Sequence, residues 1–373
     1  MSLTDVTVVE FAGLGPAPFA GMVLAGLGAN VIRIDRPGGP PIPDPMGGAL
    51  GRGKRSIALD LKHPEAATVA IRIVRGSDIL LEGFRPGVME RLGLGPDECL
   101  AANPRLVYGR MTGWGSEGPY ASMAGHDINF IGITGALHAI GGEERSVPPL
   151  NLVGDGGGAL FLVAGVLAAL HDRDRSGGTV VHSAIVDGAT ALMGPFYEMA
   201  VLGLWQDRRD ANLLDGAAPC YTTYATLDGK AMAVGALEPH FYAALLQGLG
   251  LDPADLPGQY DQPRWPELRA ALASVFATRT RDEWAEIFEG TDACTTPVLS
   301  MSEAPDHPQN ADRGAFVGPV NHRLPKPTPH VGSDPGPVLE PAHEPGADSA
   351  GILAEFGFSP EECGRLFEQG AVS

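Results

Sequence analysis

Thr7-Val-Val-Glu-Phe11 and Asn30-Val-Ile-Arg-Ile-Asp35 are short apolar runs, and the segment between them, Phe19 to Leu27, reads as a helix ended by Gly28. Strand, helix and strand in that order open a parallel sheet, because two parallel strands need a crossover connection between them. Working outward, the pattern repeats. Ser56 to Leu59 is extended, Pro64 to Arg75 is helical with Pro in its first turn, Ile79 to Glu82 is a strand and Leu106 to Met111 another. Residues 36–53 between them are rich in Gly and Pro and irregular. The expected class is α/β, a large Rossmann-like domain with a parallel sheet.

Further along, Asp155 to His171 is an apolar helix opening on Asp-Gly-Gly-Gly, and Ser183 to Trp205 continues as a helical stretch. The character changes at about Ala217. Tyr221 to Thr226 and Lys230 to Val234 flank Asp228-Gly229, which predicts a hairpin with a type I′ turn. Helices follow over Pro239 to Gly248, Pro266 to Thr278 and Arg281 to Phe288, so this part is a smaller α+β domain. Residues 304–345, rich in Pro, Gly and His, read as a connection, after which Ser349 to Phe356 and Pro360 to Gln369 are helices. The expected division is 1–186 for the large domain, 187–216 for a linking helix, 217–318 for the small domain, 319–345 for a linker and 346–373 for helices returning to the large domain.

Composition excludes several classes. Of the 373 residues 44% are hydrophobic and 19% charged, enough apolar material for a core and too little charge for a disordered chain. A net charge of −19 argues against nucleic acid or an anionic membrane as partner. No run of 18 or more apolar residues and no basic-then-apolar start is read, so the expectation is a cytoplasmic protein. Arg outnumbers Lys by 22 to 4, a bias expected of a bacterial source. The charge is uneven, with five cations (Arg36, Arg52, Lys54, Arg55, Lys62) against two acids over Arg36 to Lys62, which suggests a small polyanionic ligand. Cys99, Cys220, Cys294 and Cys363 are far apart with no C-x-x-C pair, so no metal site or disulfide framework is expected.

Gly48-Ala-Leu-Gly-Arg-Gly53-Lys54-Arg55 nearly matches a phosphate loop, but Arg55 replaces the magnesium-binding hydroxyl and no strand precedes it; a solvated basic loop is the simpler reading. A dinucleotide fingerprint is absent. Three acid–base candidates remain. His126 lies in Gly125-His-Asp-Ile-Asn129. Asp155 lies in Val153-Gly-Asp-Gly-Gly-Gly158, where an Asp is an ordinary helix cap but three glycines, each costing about 1 kcal/mol in a helix, imply close backbone approach. Exposed N–H groups there would suit an oxyanion. Glu238 precedes Pro239 at a helix start, a place the helix dipole favours for a carboxylate in any case.

Val9-Glu-Phe-Ala-Gly-Leu-Gly-Pro16, Gly28-Ala-Asn-Val-Ile-Arg-Ile-Asp-Arg-Pro37, Leu59-Asp-Leu-Lys62, Glu82-Gly-Phe-Arg-Pro-Gly87, Arg91-Leu-Gly-Leu-Gly95, Met111-Thr-Gly-Trp-Gly115 and Val186-Asp-Gly188 resemble the class III CoA-transferase superfamily over about residues 5–300. Gly125-His-Asp-Ile-Asn129, Pro149-Leu-Asn-Leu-Val-Gly-Asp155 and Gly235-Ala-Leu-Glu-Pro-His-Phe241 are similar to its α-methylacyl-CoA racemase branch. The resemblance implies that His126 and Asp155 are the two proton-transfer groups and that Glu238 supports the histidine. It implies CoA contacts at Arg36, Leu59, Asp60, Leu61, Lys62, Gly83, Phe84, Arg85, Arg91, Gly125, Asp127, Ile128, Asn129 and Phe130. It also implies an interlocked homodimer, an acyl-CoA thioester substrate, and no metal or other cofactor. The transferase branch uses the same Asp as a nucleophile, usually with an aromatic residue where His126 stands, so a CoA-transferase is the first alternative; a non-catalytic acyl-CoA-binding protein is the second. Proton delivery requires a protonated Asp155, although a helix N-terminus would lower its pKa, and desolvation is the compensating influence expected.

Overall fold

Alternation of inward and outward side chains along each strand divides the core of the first unit into two faces. The structure, a computed structural model, describes residues 2–39, 46–332 and 337–373. Residues 40–45 of the irregular 36–53 segment and 333–336 of the expected linker lie outside the described residues. The chain divides into two compact units, one of Met1–Thr134, Leu150–Leu192 and Leu324–Ser373, the other of Gly135–Pro149 and Met193–Arg323.

In the first unit β1 (Thr7–Phe11), α1 (Pro16–Gly26), β2 (Asn30–Asp35), β3 (Lys54–Ala58), α2 (Ala66–Arg75), β4 (Ile79–Glu82), α3 (Pro96–Ala102), β5 (Val107–Thr112), α4 (Asp127–Gly132), α5 (Gly157–Ser176), β6 (Thr179–Ala184) and α6 (Ile185–Leu192) follow in chain order. The sheet runs β3-β2-β1-β4-β5-β6 and every pairing is parallel. Val9, Phe11, Ile32, Ile34, Ile57, Leu80 and Tyr108 pack on α2 and α3. Val8, Val31, Ile79, Leu81 and Val107 pack on α1 and α5. The C-terminal helices α10 (Ser349–Glu355) and α11 (Pro360–Glu368) pack on the first of these faces through Ile352, Leu353 and Leu366.

Several expectations need correction. α1 starts at Pro16 rather than Phe19, since a proline at the first helical position loses no hydrogen bond there. β6 has no counterpart in the sequence reading, and its last two residues fall in the helical stretch expected from Ser183; at the sheet edge it is mostly half-buried or exposed, so it lacks the continuous apolar run that marks the inner strands. The helical stretch expected over Ser183 to Trp205 is two helices, α6 and Gly194–Val201. Among the described residues one helix, Leu152–Ser176, is long and apolar enough to cross a membrane by length and composition. The apolar-run criterion missed it because glycines and Asp155 interrupt its first turns. Ala159, Leu162, Val163 and Val166 of this helix lie in the core against the sheet.

The second unit carries an antiparallel sheet of β7 (Tyr221–Ala225), β8 (Ala231–Gly235) and β9 (Thr295–Pro297), backed by α7 (Pro239–Leu249), α8 (Trp265–Phe276) and α9 (Arg281–Phe288). Only Gly229 of the hairpin has a positive φ (73°), and Gly229 N–H donates to Thr226 O while Thr226 N–H donates to Lys230 O. The connection is therefore a three-residue loop with one left-handed glycine, not the two-residue type I′ turn, which needs positive φ at both central positions. A short ribbon of Gly141–Gly142 with Arg145–Ser146 had no signal in the sequence.

Candidate active site

In a doubly wound sheet, ligands bind outside the carboxyl ends of the strands where the strand order reverses. Here that point lies between β1 and β4. The segments expected to contact CoA are connections leaving those ends: Arg36 follows β2, Leu59 to Lys62 follow β3, Gly83 to Arg85 follow β4, and Gly125 to Phe130 follow β5. Arg36, Lys62, Arg85 and Arg91 are exposed. Leu59 is buried, and its N–H donates to Asp35 O; Leu61 packs partly on the core. Asp60 accepts the Lys62 N–H at 3.1 Å, which fixes the turn between them. Phe84 meets Phe11 edge-on at 6.3 Å, and Gly83 is exposed.

The basic stretch is not the solvated loop read from sequence. Lys54 is 2% exposed within β3, and its Nζ donates to Glu10 Oε2 at 2.6 Å, Glu10 Oε1 at 2.9 Å and Pro18 O at 2.8 Å. Arg52 donates to Ala49 O and Pro325 O, and Arg55 to Asn30 and Glu355. β3 places Lys54 inside and pairs Arg55 with protein partners, and Arg52 in the turn before it is bonded to two carbonyls, leaving Arg36 and Lys62 exposed.

A network that sequence reasoning missed supports the β4 connection. Glu82, buried, accepts the Phe84 N–H at 2.7 Å and Arg110 Nε at 2.8 Å, while Arg110 Nη2 donates to Glu90 Oε1 at 2.7 Å. Burial pushes the Glu82 carboxyl up, against these bonds. Three residues from three segments thereby hold the backbone around Gly83, Phe84 and Arg85. Their separation in sequence left no local signal.

His126 caps α4 and is exposed, with its N–H donating to Asn129 Oδ1 at 3.1 Å. Asp127, the next residue, is buried, whereas Ile128 is exposed. Phe130 is buried edge-on to Trp114 at 4.7 Å, and a Cβ on Gly125 would press on its ring at 2.7 Å.

Asp155 belongs to a π-type turn, Leu152–Gly156, that leads into α5. Its N–H donates to Asp127 Oδ1 at 2.7 Å, and its Oδ2 accepts Asn151 Nδ2 at 2.9 Å. A Cβ on Gly15, which has φ 69° just before α1, would lie 3.0 Å from Asp155 Oδ2, so the carboxyl rests on the connection leaving β1. Asp155 therefore lies beside the switch point, within electrostatic reach of His126. Burial, foremost, raises the Asp155 carboxyl above its ordinary range; the Asn151 bond lowers it, the Asp127 charge raises it and His126 lowers it. Desolvation thus outweighs the lowering influences of Asn151 and His126.

The oxyanion donors expected beside Asp155 are engaged elsewhere. Its own N–H goes to Asp127, that of Gly156 to Asn151 O, and that of Gly157 to Leu152 O and Gly154 O. The glycine run does serve close approach, but to protein: a Cβ on Gly158 would lie 2.8 Å from Met111 Cε and 3.2 Å from Ile185 Cα, where α5 meets α6. Glu238 lies in the second unit as the exposed N-cap of α7, with its carbonyl accepting the Tyr242 N–H. Among the described residues no group of three or more His, Cys, Asp or Glu is placed to hold a metal ion.

Comparison with known proteins locates the chain. The model of CoA-transferase family III matches residues 3–348. An α-methylacyl-CoA racemase of Mus musculus is 47% identical over 98% of this chain and 96% of its own length, and one of Homo sapiens is 46% identical with the same coverage. These mammalian sources do not fit the bacterial origin read from the Arg excess. The crystal structure of a CAIB/BAIF family protein from Brucella suis superposes with a TM-score of 0.79 at 26% identity, covering 94% of this chain and 98% of that one.

Proposed function

The chain belongs to CoA-transferase family III, and on that premise we propose that it is an isomerase interconverting (R)- and (S)-2-methylacyl-CoA thioesters. The neutral imidazole of His126 removes the proton on the carbon next to the thioester. The electron pair of the broken C–H bond enters a planar enolate, with charge on the thioester oxygen, and a protonated Asp155 returns a proton to the opposite face. The reverse passage starts from Asp155 as base. No cofactor enters the scheme, because thioester conjugation supplies the acidity. Exposed cations at Arg36, Lys62, Arg85 and Arg91 take the CoA phosphates, Glu238 supports the histidine, and the protein acts as a homodimer.

The observation that carries this reading is the environment of Asp155. Burial and the neighbouring Asp127 carboxylate push its carboxyl upward, against the amide that Asn151 donates to it, so it holds its proton more tightly than an ordinary aspartate. A carboxyl that must deliver a proton needs that bias, whereas a nucleophile that attacks a thioester needs the ionised form. The test is incubation with each epimer of a 2-methylacyl-CoA in deuterium oxide, with chiral analysis. Deuterium at the α-carbon and convergence of both epimers on one mixture are expected. No exchange with either epimer, or a protein-bound hydroxamate at Asp155 on trapping with hydroxylamine, overturns the reading, the second in favour of a CoA-transferase with Asp155 as nucleophile.

A further inference from the structure

The backbone N–H of Asp155 leaves the helical ladder. In an α-turn it would bond the carbonyl four residues back, and in a π-turn the one five back. Instead the Asn151 carbonyl takes the Gly156 N–H at 3.0 Å, and the Asp155 N–H turns to Asp127 Oδ1 at 2.7 Å. Asp127 is 4% exposed and opens α4 as the residue directly after His126. One residue thus joins both proton-transfer groups, by its own peptide to His126 and by its carboxylate to the peptide of Asp155. Gly154 keeps the approach open, since a Cβ there would collide with the Asp127 carboxylate. The elements packed on the turn are α1, α4, α5 and α6, and the charged groups acting on Asp155 are Asp127, which favours its proton, and His126, which opposes it.

Resting on the racemase reading, we propose that Asp127 is a positioning residue whose carboxylate locks the turn bearing Asp155 and fixes that carboxyl relative to His126. Two substitutions separate bond from charge. Asp127→Ala removes both and leaves the Asp155 N–H without its acceptor; kcat should fall about tenfold or more. Asp127→Asn keeps an oxygen for the N–H and removes the charge. It should retain most of kcat at its own optimum, while in the direction where Asp155 donates, the alkaline limb of the pH profile moves to lower pH. Carbon-13 NMR titration of the Asp155 carboxyl in the substrate-free protein should show the same downward shift.

Wild-type kcat and pH profile in both variants, with the wild type exchanging normally, would overturn the proposal. If the wild type exchanges no α-hydrogen, the racemase reading fails by itself, and an Asp155 titration unchanged in Asp127→Asn rejects the Asp127 role independently. Should Asp127→Ala not fold, Asp127→Asn and its titration still decide.

Discussion

In the first unit Glu10 is fully buried and Asp155 half-buried, and burial drives both carboxyls upward, yet their partners are opposite. Glu10, 0% exposed, is gripped through both oxygens by Lys54, which burial in turn pushes down. Lys54 also ties Pro18 O in the first turn of α1, and Gly21 on the same helix leaves room for the Glu10 carboxylate. Asp155 receives a neutral amide and a neighbouring carboxylate instead. A buried ion pair cannot change protonation without stranding its partner, so Glu10 belongs to the fold. A carboxyl with no cation gripping it can move between states, which is what proton transfer requires.

The comparison breaks most visibly at the proton-transfer pair. His126→Ala and Asp155→Ala should each lower α-hydrogen exchange by about 10²-fold to 10⁴-fold with little loss of CoA affinity. Near-normal exchange with both epimers in either variant removes that residue from the pair. Lys54→Met is expected to act on folding, costing about 3–5 kcal/mol because Glu10 is left buried and unpaired. Replacing Glu10 and Lys54 together by Met should restore most of that stability in denaturant unfolding. If the double variant is no better than Lys54→Met, the pair is not what the single change disrupts.

A smaller effect separates cations on the rim from those taken into the fold. Arg85→Ala should raise KM for the acyl-CoA about fivefold, the equivalent of ~1 kcal/mol, whereas Arg55→Ala should leave KM unchanged because its guanidinium is engaged by Asn30 and Glu355. Equal KM changes in the two variants contradict this division.

The same contrast explains what could be read from the chain. Thr7–Phe11, Asn30–Asp35 and Ile79–Glu82 are inner strands buried on both faces, so each is a continuous apolar run visible without any partner. β6 borders solvent and loses that mark. His126 and Asp155 stood out through short motifs and a resemblance. The long-range contacts did not, because the Asp127 to Asp155 bond spans 28 positions and the Glu10 to Lys54 pair of the fold 44. Arg36 to Lys62 looked like one basic surface because sequence records charge density but not which face of a strand a side chain takes. Parallel register decides that, and register depends on crossovers far longer than any local pattern.

The smallest expected effect is a gain. A carboxyl raised on folding binds its proton more tightly in the native state than in the unfolded chain. Its contribution to stability is therefore full below the unfolded value of about 3.9 and is lost as pH rises through the folded one. At pH 7, where Asp155 of the unfolded chain is ionised, the wild-type group thus opposes folding relative to a side chain that does not titrate. Asp155→Asn removes that titration and keeps an oxygen for the Asn151 amide, so it should be more stable than wild type at pH 7 by a small margin. The difference should shrink as pH falls below the ordinary Asp range, because the wild-type carboxyl is then protonated in both states. Glu10→Gln should show no such gain, since it discards the charge that Lys54 needs. Urea unfolding of wild type and both variants across pH decides the matter. An Asp155→Asn protein no more stable than wild type at pH 7 would mean that Asp155 is not held toward its protonated form, and the distinction between the two acids would collapse.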